Sequence, residues 1–462
     1  MQVTETLNEG LRRKLSVIIP AADLVAKRDE RLNDLKDRAN IKGFRPGKVP
    51  VAHLKKVYGR SVMSEAMQDT INATIQESLT ERAERAAAQP EIDLPDDQTV
   101  INQVLDGTAD LTFEVVYEVL PKIEPMDFKS IKIEQPVVEV AAEEVDKEVN
   151  RVFLNNREFE RKGEDGVVAQ GDKLGLKFVG KIDGEPFEGG SSDHAHLTVG
   201  AGEYIPGFED QLVGMKVGEP RQVKVTFPKD YGSAELAGKN AVFEVEVLHI
   251  DGPKGDAVLN DAFAQALGLE NLEQLKTEVR RQMEQAHEQM ARQRVKRQVL
   301  DALDDGHTTE VPGRLVEAEF SGIWQRVTHE IEHHGRSFED EGTTEEEARA
   351  QYRRIAERRV KLGLVIAEIG NRNEIQVSEE EHQQALVAEI RRFPGQEQQV
   401  YDYYRKNPQA LASLRAPVFE NKVVDFIIEL ADKTEKKMTR AELAKLIEQD
   451  EAEHEVPEEH HH

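Results

Sequence analysis

The chain of 462 residues contains no cysteine, one tryptophan and only 5% aromatic residues. Without cysteine there is no disulfide, no thiolate nucleophile, no Cys-ligated zinc and no iron–sulfur cluster. The lack fits a reducing compartment. Long apolar runs are missing as well. Leu362–Ala367 and Val423–Leu430 are short or interrupted by charge, so no membrane span is expected. Positive charge is the minority sign: Lys+Arg number 61 against 89 Asp+Glu, a formal net charge of -28. That balance argues against a general DNA or anionic-membrane binder but leaves room for a local basic patch.

Hydrophobic residues are 38% and charged residues 32%, which suits several small cores joined by solvated helix. At roughly 100–200 residues per domain, about three domains are expected. Arg12-Arg13-Lys14 before Leu15–Ile19 imitates a signal sequence, but Pro20, Asp23 and Lys27-Arg28 interrupt it. A strand leading into a helix is the better reading, and a cytoplasmic location is expected.

Val3–Leu7 and Arg13–Ile19 read as strands around the turn Asn8-Glu9-Gly10. Ala21–Ile41 reads as helix, with Leu24, Val25, Leu32 and Leu35 at helical spacing. A second helix is expected from Val51 to Ala88, with Gly59 marking a bend. Val100–Leu105 and Leu111–Leu120 look like a hairpin around Asp106-Gly107. Residues 113–150 are broken by Pro121, Pro125 and Pro136 and read as an extended connector running into a helix at Ala142–Glu160. Between Gly166 and Ile250 the chain is glycine-rich and alternates apolar with polar residues. Leu174–Val179, Arg221–Phe227 and Ala241–His249 are expected to be strands of an antiparallel sheet. From Asp251 to about Arg440 almost everything reads as polar helix with narrow apolar stripes. Thr439–Glu459 is acidic and read as frayed or disordered. The expected division is therefore 1–112, 113–150, 151–250, 251–440 and an acidic tail at 441–462. The class is multidomain α+β, with an antiparallel-sheet module in the middle and an extended all-α part after it.

Lys36–Arg60 holds eight basic residues against the single acid Asp37, so a local charge of about +7 sits inside an acidic protein. At its centre Gly43–Pro50 forms a turn whose glycines and prolines should fix a rigid loop and present Phe44 and Arg45 to solvent. An exposed aromatic beside an arginine suits a binding hot spot, and the neighbouring bases suit phosphate or carboxylate. For the charges alone a solvated helix face is the simpler account. The motif Gly43-Phe44-Arg45-x-Gly47-Lys48-x-Pro50 resembles the signature loop of the trigger factor family of bacterial ribosome-associated chaperones. The resemblance implies that Phe44, Arg45 and Lys48 dock on ribosomal protein and adjacent RNA at the tunnel exit. Pro46 stands where many members carry a base, which implies one charge contact fewer.

The middle module resembles FKBP-type peptidyl-prolyl isomerases. The resemblance rests on Phe178-Val179-Gly180, Asp183-Gly184-Glu185-Pro186-Phe187-Glu188-Gly189-Gly190, Tyr204-Ile205-Pro206-Gly207-Phe208-Glu209, Gly214–Glu219, Phe227–Tyr231 and Ala241–Val245. It implies a pocket walled by Phe178, Phe187, Ile205, Phe208, Tyr231 and Phe243, with Glu188 near the rim and the Ile205 N–H open to a substrate carbonyl. Any one of these aromatics could equally be core of a small β domain; the ordered set favours a pocket. Phe208 stands where single-domain relatives often have Trp. No cofactor or metal is implied, because prolyl rotation needs neither.

Asp251–Arg440 resembles the family's chaperone domain in length, order and helical texture. This implies two helical arms that hold unfolded and nascent polypeptides, and a free form that dimerises weakly. Phe320, Ile323, Trp324, Tyr352, Leu362, Leu364, Tyr401, Tyr403, Tyr404 and Phe419 are candidate client contacts, each of which could instead be interhelical core. His329-Glu330-Ile331-Glu332-His333 matches the zincin pattern, but the longer form wants glycine where Arg336 stands. Gly232–Asn240 has the wrong spacing for a phosphate-binding loop. The expected function is an ATP-independent chaperone at the ribosome with prolyl isomerase activity. The alternatives are a free prolyl isomerase with a helical scaffold, and a scaffold with a degenerate pocket.

Overall fold

The computed structural model describes every residue except 39–43, 45–48, 96, 164, 183, 229–230, 232–235, 256–257, 335–336, 339–342 and 453–462. For 36–38, 188, 334 and 451–452 it describes the backbone alone. The chain divides into two compact units. One comprises 1–131 and 299–431 among the described residues, the other 132–298 and 432–452.

The first unit opens with β1 (Gln2–Glu9) and β2 (Arg12–Ile19), followed by α1 (Ala21–Arg38), α2 (Val51–Glu81), β3 (Glu91–Asp93), α3 (Gln98–Asp106) and β4 (Leu111–Glu118). The strands pair antiparallel in the order β1-β2-β4-β3. β4 alternates strictly, so Leu111, Phe113, Val115 and Tyr117 turn one buried face towards Leu15, Val17, Met63, Ile71 and Ile75. The expected hairpin at 100–120 is half wrong. Val100–Leu105 is helix, because Val100, Ile101, Val104 and Leu105 also recur at helical spacing and the ends are capped. Asp97 accepts from the Thr99 N–H at 2.8 Å, and Gly107 closes the helix with φ of 77°. Nor does Gly59 bend anything: α2 runs through it unbroken. The helix stops at Glu81 rather than Ala88, and Ala83 takes φ of 50° just beyond.

The same unit holds the end of α7 (Leu272–Gly306), then α8 (Gly313–His334), α9 (Glu345–Arg372), α10 (Glu379–Arg391), α11 (Glu397–Lys406), α12 (Pro408–Ser413) and α13 (Arg415–Leu430). α8 and α9 pack through Val316, Phe320, Ile323, Val327 and Ala356. Thr344 and Ser378 start α9 and α10 with capping boxes to Glu347 and Glu381.

The second unit contains β5 (Lys132–Val137), α4 (Ala142–Asn155), β6 (Phe159–Arg161), β7 (Lys173–Ile182), β8 (Glu185–Thr198), α5 (Phe208–Leu212), β9 (Pro220–Thr226), β10 (Asn240–Pro253), α6 (Asp261–Ala266) and the first part of α7. It ends with β11 (Asp432–Lys437) and α14 (Arg440–Ala452). Its main sheet runs β6-β10-β7-β8, with β9 also on β10. Ala241, Phe243, Val245 and Val247 of β10 alternate inward onto Leu174, Leu176 and Phe178 of β7. Residues 432–437, expected to be helix, form a strand that pairs parallel with β5. Residues 440–452, expected to be disordered, form α14, which buries Leu443 completely and ties Arg294 of α7 to Asp450. No helix among the described residues is long and apolar enough to cross a membrane.

Candidate functional site

The second unit carries a cleft of about 420 Å³ over the main sheet, lined by Phe178, Phe187, Gly189, Gly190, Glu203, Tyr204, Ile205, Pro206, Phe227, Pro228, Tyr231 and Phe243. Its walls come from β7, β8, β10 and two loops. The rings meet edge to face: Phe178 and Phe243 at 5.8 Å, Phe187 and Phe243 at 6.0 Å, Phe187 and Phe227 at 5.9 Å, and Phe227 and Tyr231 at 4.7 Å. This is the favoured geometry for aromatic quadrupoles. Glycines let Phe187 lie flat against the sheet. A Cβ on Gly190 would stand 2.7 Å from its ring, and a Cβ on Gly180 would stand 2.6 Å from Phe243 and 2.9 Å from Phe187.

Of the residues singled out from sequence, Phe178, Phe187, Ile205, Tyr231 and Phe243 line this one cleft. Tyr231 is the most open, 40% exposed at the mouth. Phe208 does not stand on the wall. It is buried under the cleft, stacked on Tyr204 at 5.1 Å and edge-on to Phe178 and Phe243 at 6.2 and 5.3 Å. It is floor rather than contact surface. Glu188 lies on β8, and its side chain falls outside the described residues. Tyr204, Pro206, Phe227 and Pro228 line the cleft without having been singled out. Their adjacency to Ile205 and Tyr231 in the motif was the signal available. The Ile205 carbonyl accepts from the Phe208 N–H at 3.0 Å, while the Ile205 N–H has no acceptor among the described residues. Burial, with Glu203 and Glu209 nearby, pushes the Tyr204 hydroxyl up.

In the first unit, Arg45 and Lys48 lie outside the described residues. Phe44 is described, and it differs from expectation. It is half-buried against Leu32, Val49, Leu54 and Val62, with its ring 5.1 Å from that of His53. Apolar surface from α1 and α2 is available beside it, and burial there outweighs presentation to water. Val57 and Tyr58 of α2 are the exposed apolar residues nearby in sequence, 56% and 39% open.

Among the client-contact candidates, Phe320 and Ile323 are buried core of the α8–α9 pair. Trp324 stacks between Phe320 and Phe338, with the Arg349 guanidinium 4.3 Å above its ring. Leu362, Leu364, Tyr404 and Phe419 are partly covered. Tyr401 and Tyr403 are exposed on α11. His329 and His333 stand with rings 6.2 Å apart, and no cluster of three potential metal ligands occurs among the described residues.

A sheet bearing an aromatic cleft is the architecture of an FKBP-type peptidyl-prolyl cis-trans isomerase, and residues 165–248 match that family. Residues 1–152 match the family described as bacterial trigger factor protein, and 271–429 its C-terminus. The chain belongs to the trigger factor family. The trigger factor of Azorhizobium caulinodans is 52% identical over 96% of this chain and 98% of its own length. Those of Xanthobacter autotrophicus and Brucella anthropi are 52% and 50% identical, over 98% and 96% of this chain and 99% and 92% of their own. A solved structure described as "Promiscuous Substrate Recognition in Folding and Assembly Activities of the Trigger Factor Chaperone" aligns with a TM-score of 0.47 at 21% identity. It covers 93% of this chain and 99% of that one, a likeness too loose to bear on arrangement. The chain is a ribosome-associated chaperone with a peptidyl-prolyl isomerase domain, whose partners are the ribosome and nascent polypeptides; a free isomerase without a ribosomal role is not favoured.

Proposed function

We propose that isomerisation takes place in the cleft bounded by Phe178, Phe187, Ile205, Tyr231 and Phe243, with Phe208 as its floor and Glu188 at its rim. A prolyl amide resists rotation by ~18–20 kcal/mol because resonance gives its C–N bond double-bond character. In the twisted state resonance is lost and the amide is less dipolar. Aromatic walls solvate that state better, relative to the planar one, than water does. The proline ring enters among the Phe rings, and the Ile205 N–H takes the carbonyl of a flanking residue. No proton, nucleophile or metal is required. The observation that carries the reading is an Ile205 N–H with no acceptor among the described residues, beside a cleft walled by aromatic rings. Turnover of a prolyl tetrapeptide by the full chain tests it. Phe187→Ala is expected to lower kcat/KM by about tenfold or more; undiminished turnover would move the reaction elsewhere.

Phe44, Arg45 and Lys48 serve ribosome docking in this reading, with RNA as well as protein as the contact. The support is the basic loop and the family's motif. Docking then draws on the bases around the loop and requires Phe44 to leave its half-buried place on α1 and α2, or to act by shaping the loop from there. The chain works in the cytoplasm and dimerises weakly when off the ribosome. In this reading 1–112 serves docking, 113–150 connection, 151–250 isomerisation and 251–440 client binding, followed by the acidic stretch 441–462, helical as far as Ala452.

A further inference from the structure

Glu209 is a carboxylate with 6% of its surface exposed, and its hydrogen bonds among the described residues all come from backbone N–H groups. Oε2 accepts from the N–H groups of Gly200 at 2.8 Å and Gly202 at 3.1 Å, and Oε1 from those of Glu203 at 2.7 Å and Tyr204 at 3.1 Å. Four donors from one loop converge on a single side chain. Such a loop is costly to hold. Gly200, Gly202 and Gly207 all take positive φ, at 92°, 71° and 83°, and a chain so rich in glycine loses much freedom on ordering. The next residues, Tyr204, Ile205 and Pro206, are the rim of the cleft.

We propose that Glu209 is a positioning residue of the isomerase: it gathers the N–H groups of residues 200 and 202–204 and thereby leaves the Ile205 N–H as the one aimed at substrate. The inference rests on the cleft reading above. The carboxylate fits the task because it is acceptor-only, with lone pairs on both oxygens for several donors at once. An amide in its place would turn an NH₂ towards two of the four N–H groups. A preorganised donor works because its geometry is settled before the amide begins to twist. Glu209 does not itself line the cleft and acts through the backbone of the loop that does.

The test compares full-length Glu209→Gln, Val247→Ala and Phe187→Ala with wild type. Val247 is fully buried in the same sheet and does not line the cleft, so it reports what general loss of stability does. The readouts are kcat/KM on a prolyl tetrapeptide, the unfolding midpoint, and amide hydrogen exchange at 200–205. The expected result for Glu209→Gln is a fall in kcat/KM of about tenfold or more with faster exchange at 200–204, while Val247→Ala stays within about twofold at a comparable midpoint. Glu209→Gln within about twofold of wild type overturns the proposal and leaves the cleft intact if Phe187→Ala is impaired; equal losses in Glu209→Gln and Val247→Ala also overturn it. An active Phe187→Ala overturns the cleft reading and this proposal with it. Should Glu209→Gln not fold, Glu209→Asp keeps the charge but draws it back by one methylene. A several-fold loss supports the proposal and wild-type activity sinks it.

Discussion

Phe187 lies across the backbone of Gly190 so closely that a single added methyl there would stand 2.7 Å from its ring. The cleft therefore exists partly because β8 is too glycine-rich to fill it. Gly190→Ala is expected to push Phe187 off the sheet and into the cleft. Absorbing the overlap costs about 1–3 kcal/mol. Turnover of a prolyl peptide should fall more than the unfolding midpoint does, since the displaced ring occupies the substrate's space. Equal activity in the variant would show that the ring has somewhere else to go.

Phe208→Ala addresses the floor. The ring is fully enclosed by Tyr204, Phe178 and Phe243, so its loss should cost about 3–5 kcal/mol. The expected signature is faster amide exchange throughout β7 and β10, together with weaker isomerase activity. Unchanged exchange in those strands would mean the site collapses without penalty.

Glu84 gives a pH prediction. Burial by itself would raise this carboxyl. Hydrogen bonds from Arg82 at 2.8 Å, Tyr117 at 2.7 Å and Arg13 at 3.0 Å outweigh it together and hold it down at about 2, from an ordinary 4.5. The folded value is the lower one, so the stabilisation is complete above the ordinary carboxylate range and is lost as pH falls from about 4.5 through about 2. Its size is on the order of 3 kcal/mol. Amide exchange in β2 and β4 should accelerate across that window in the wild type, whereas Glu84→Gln should show no such step. A flat wild-type profile would remove Glu84 from the account of acid lability.

Ribosome docking is tested by co-sedimentation with bacterial ribosomes at two salt concentrations. Wild type should bind saturably and less well at high salt, because exposed charges are screened beyond a Debye length of about 10 Å at 0.1 M. Changing Phe44, Arg45 and Lys48 together to Ala should abolish the salt-sensitive component. Binding that survives the triple change would assign docking to other residues of α1 and α2, with Val57 and Tyr58 the first to examine.

Periodicity made most of the fold legible. The long helices from α7 to α9 show their apolar stripes, β4 alternates strictly and β10 alternates from Asn240 to Val247, because burial on one face imprints its period on the chain. Val100–Leu105 fits either element by its β-branched residues, and the Asp97 cap with Gly107 decides for helix. β11, Asp-Lys-Thr-Glu-Lys-Lys, has no apolar residue and is exposed throughout. It is a strand because β5 supplies its hydrogen-bond partners, 300 positions away at Asp432↔Lys132, and no local pattern encodes that.

By itself the sequence determined Phe178, Phe187, Tyr231 and Phe243 as cleft residues, the basic loop, the family and the long helices after residue 271, because each is written in residue type and short-range spacing. Only the tertiary structure decided that Phe208 is floor while Tyr231 is mouth, that Phe44 leans on α1 and α2, and that Glu209 gathers four backbone donors. Those outcomes depend on which surfaces compete for the same side chain once distant segments meet, and that competition is settled by packing and hydrogen-bond geometry.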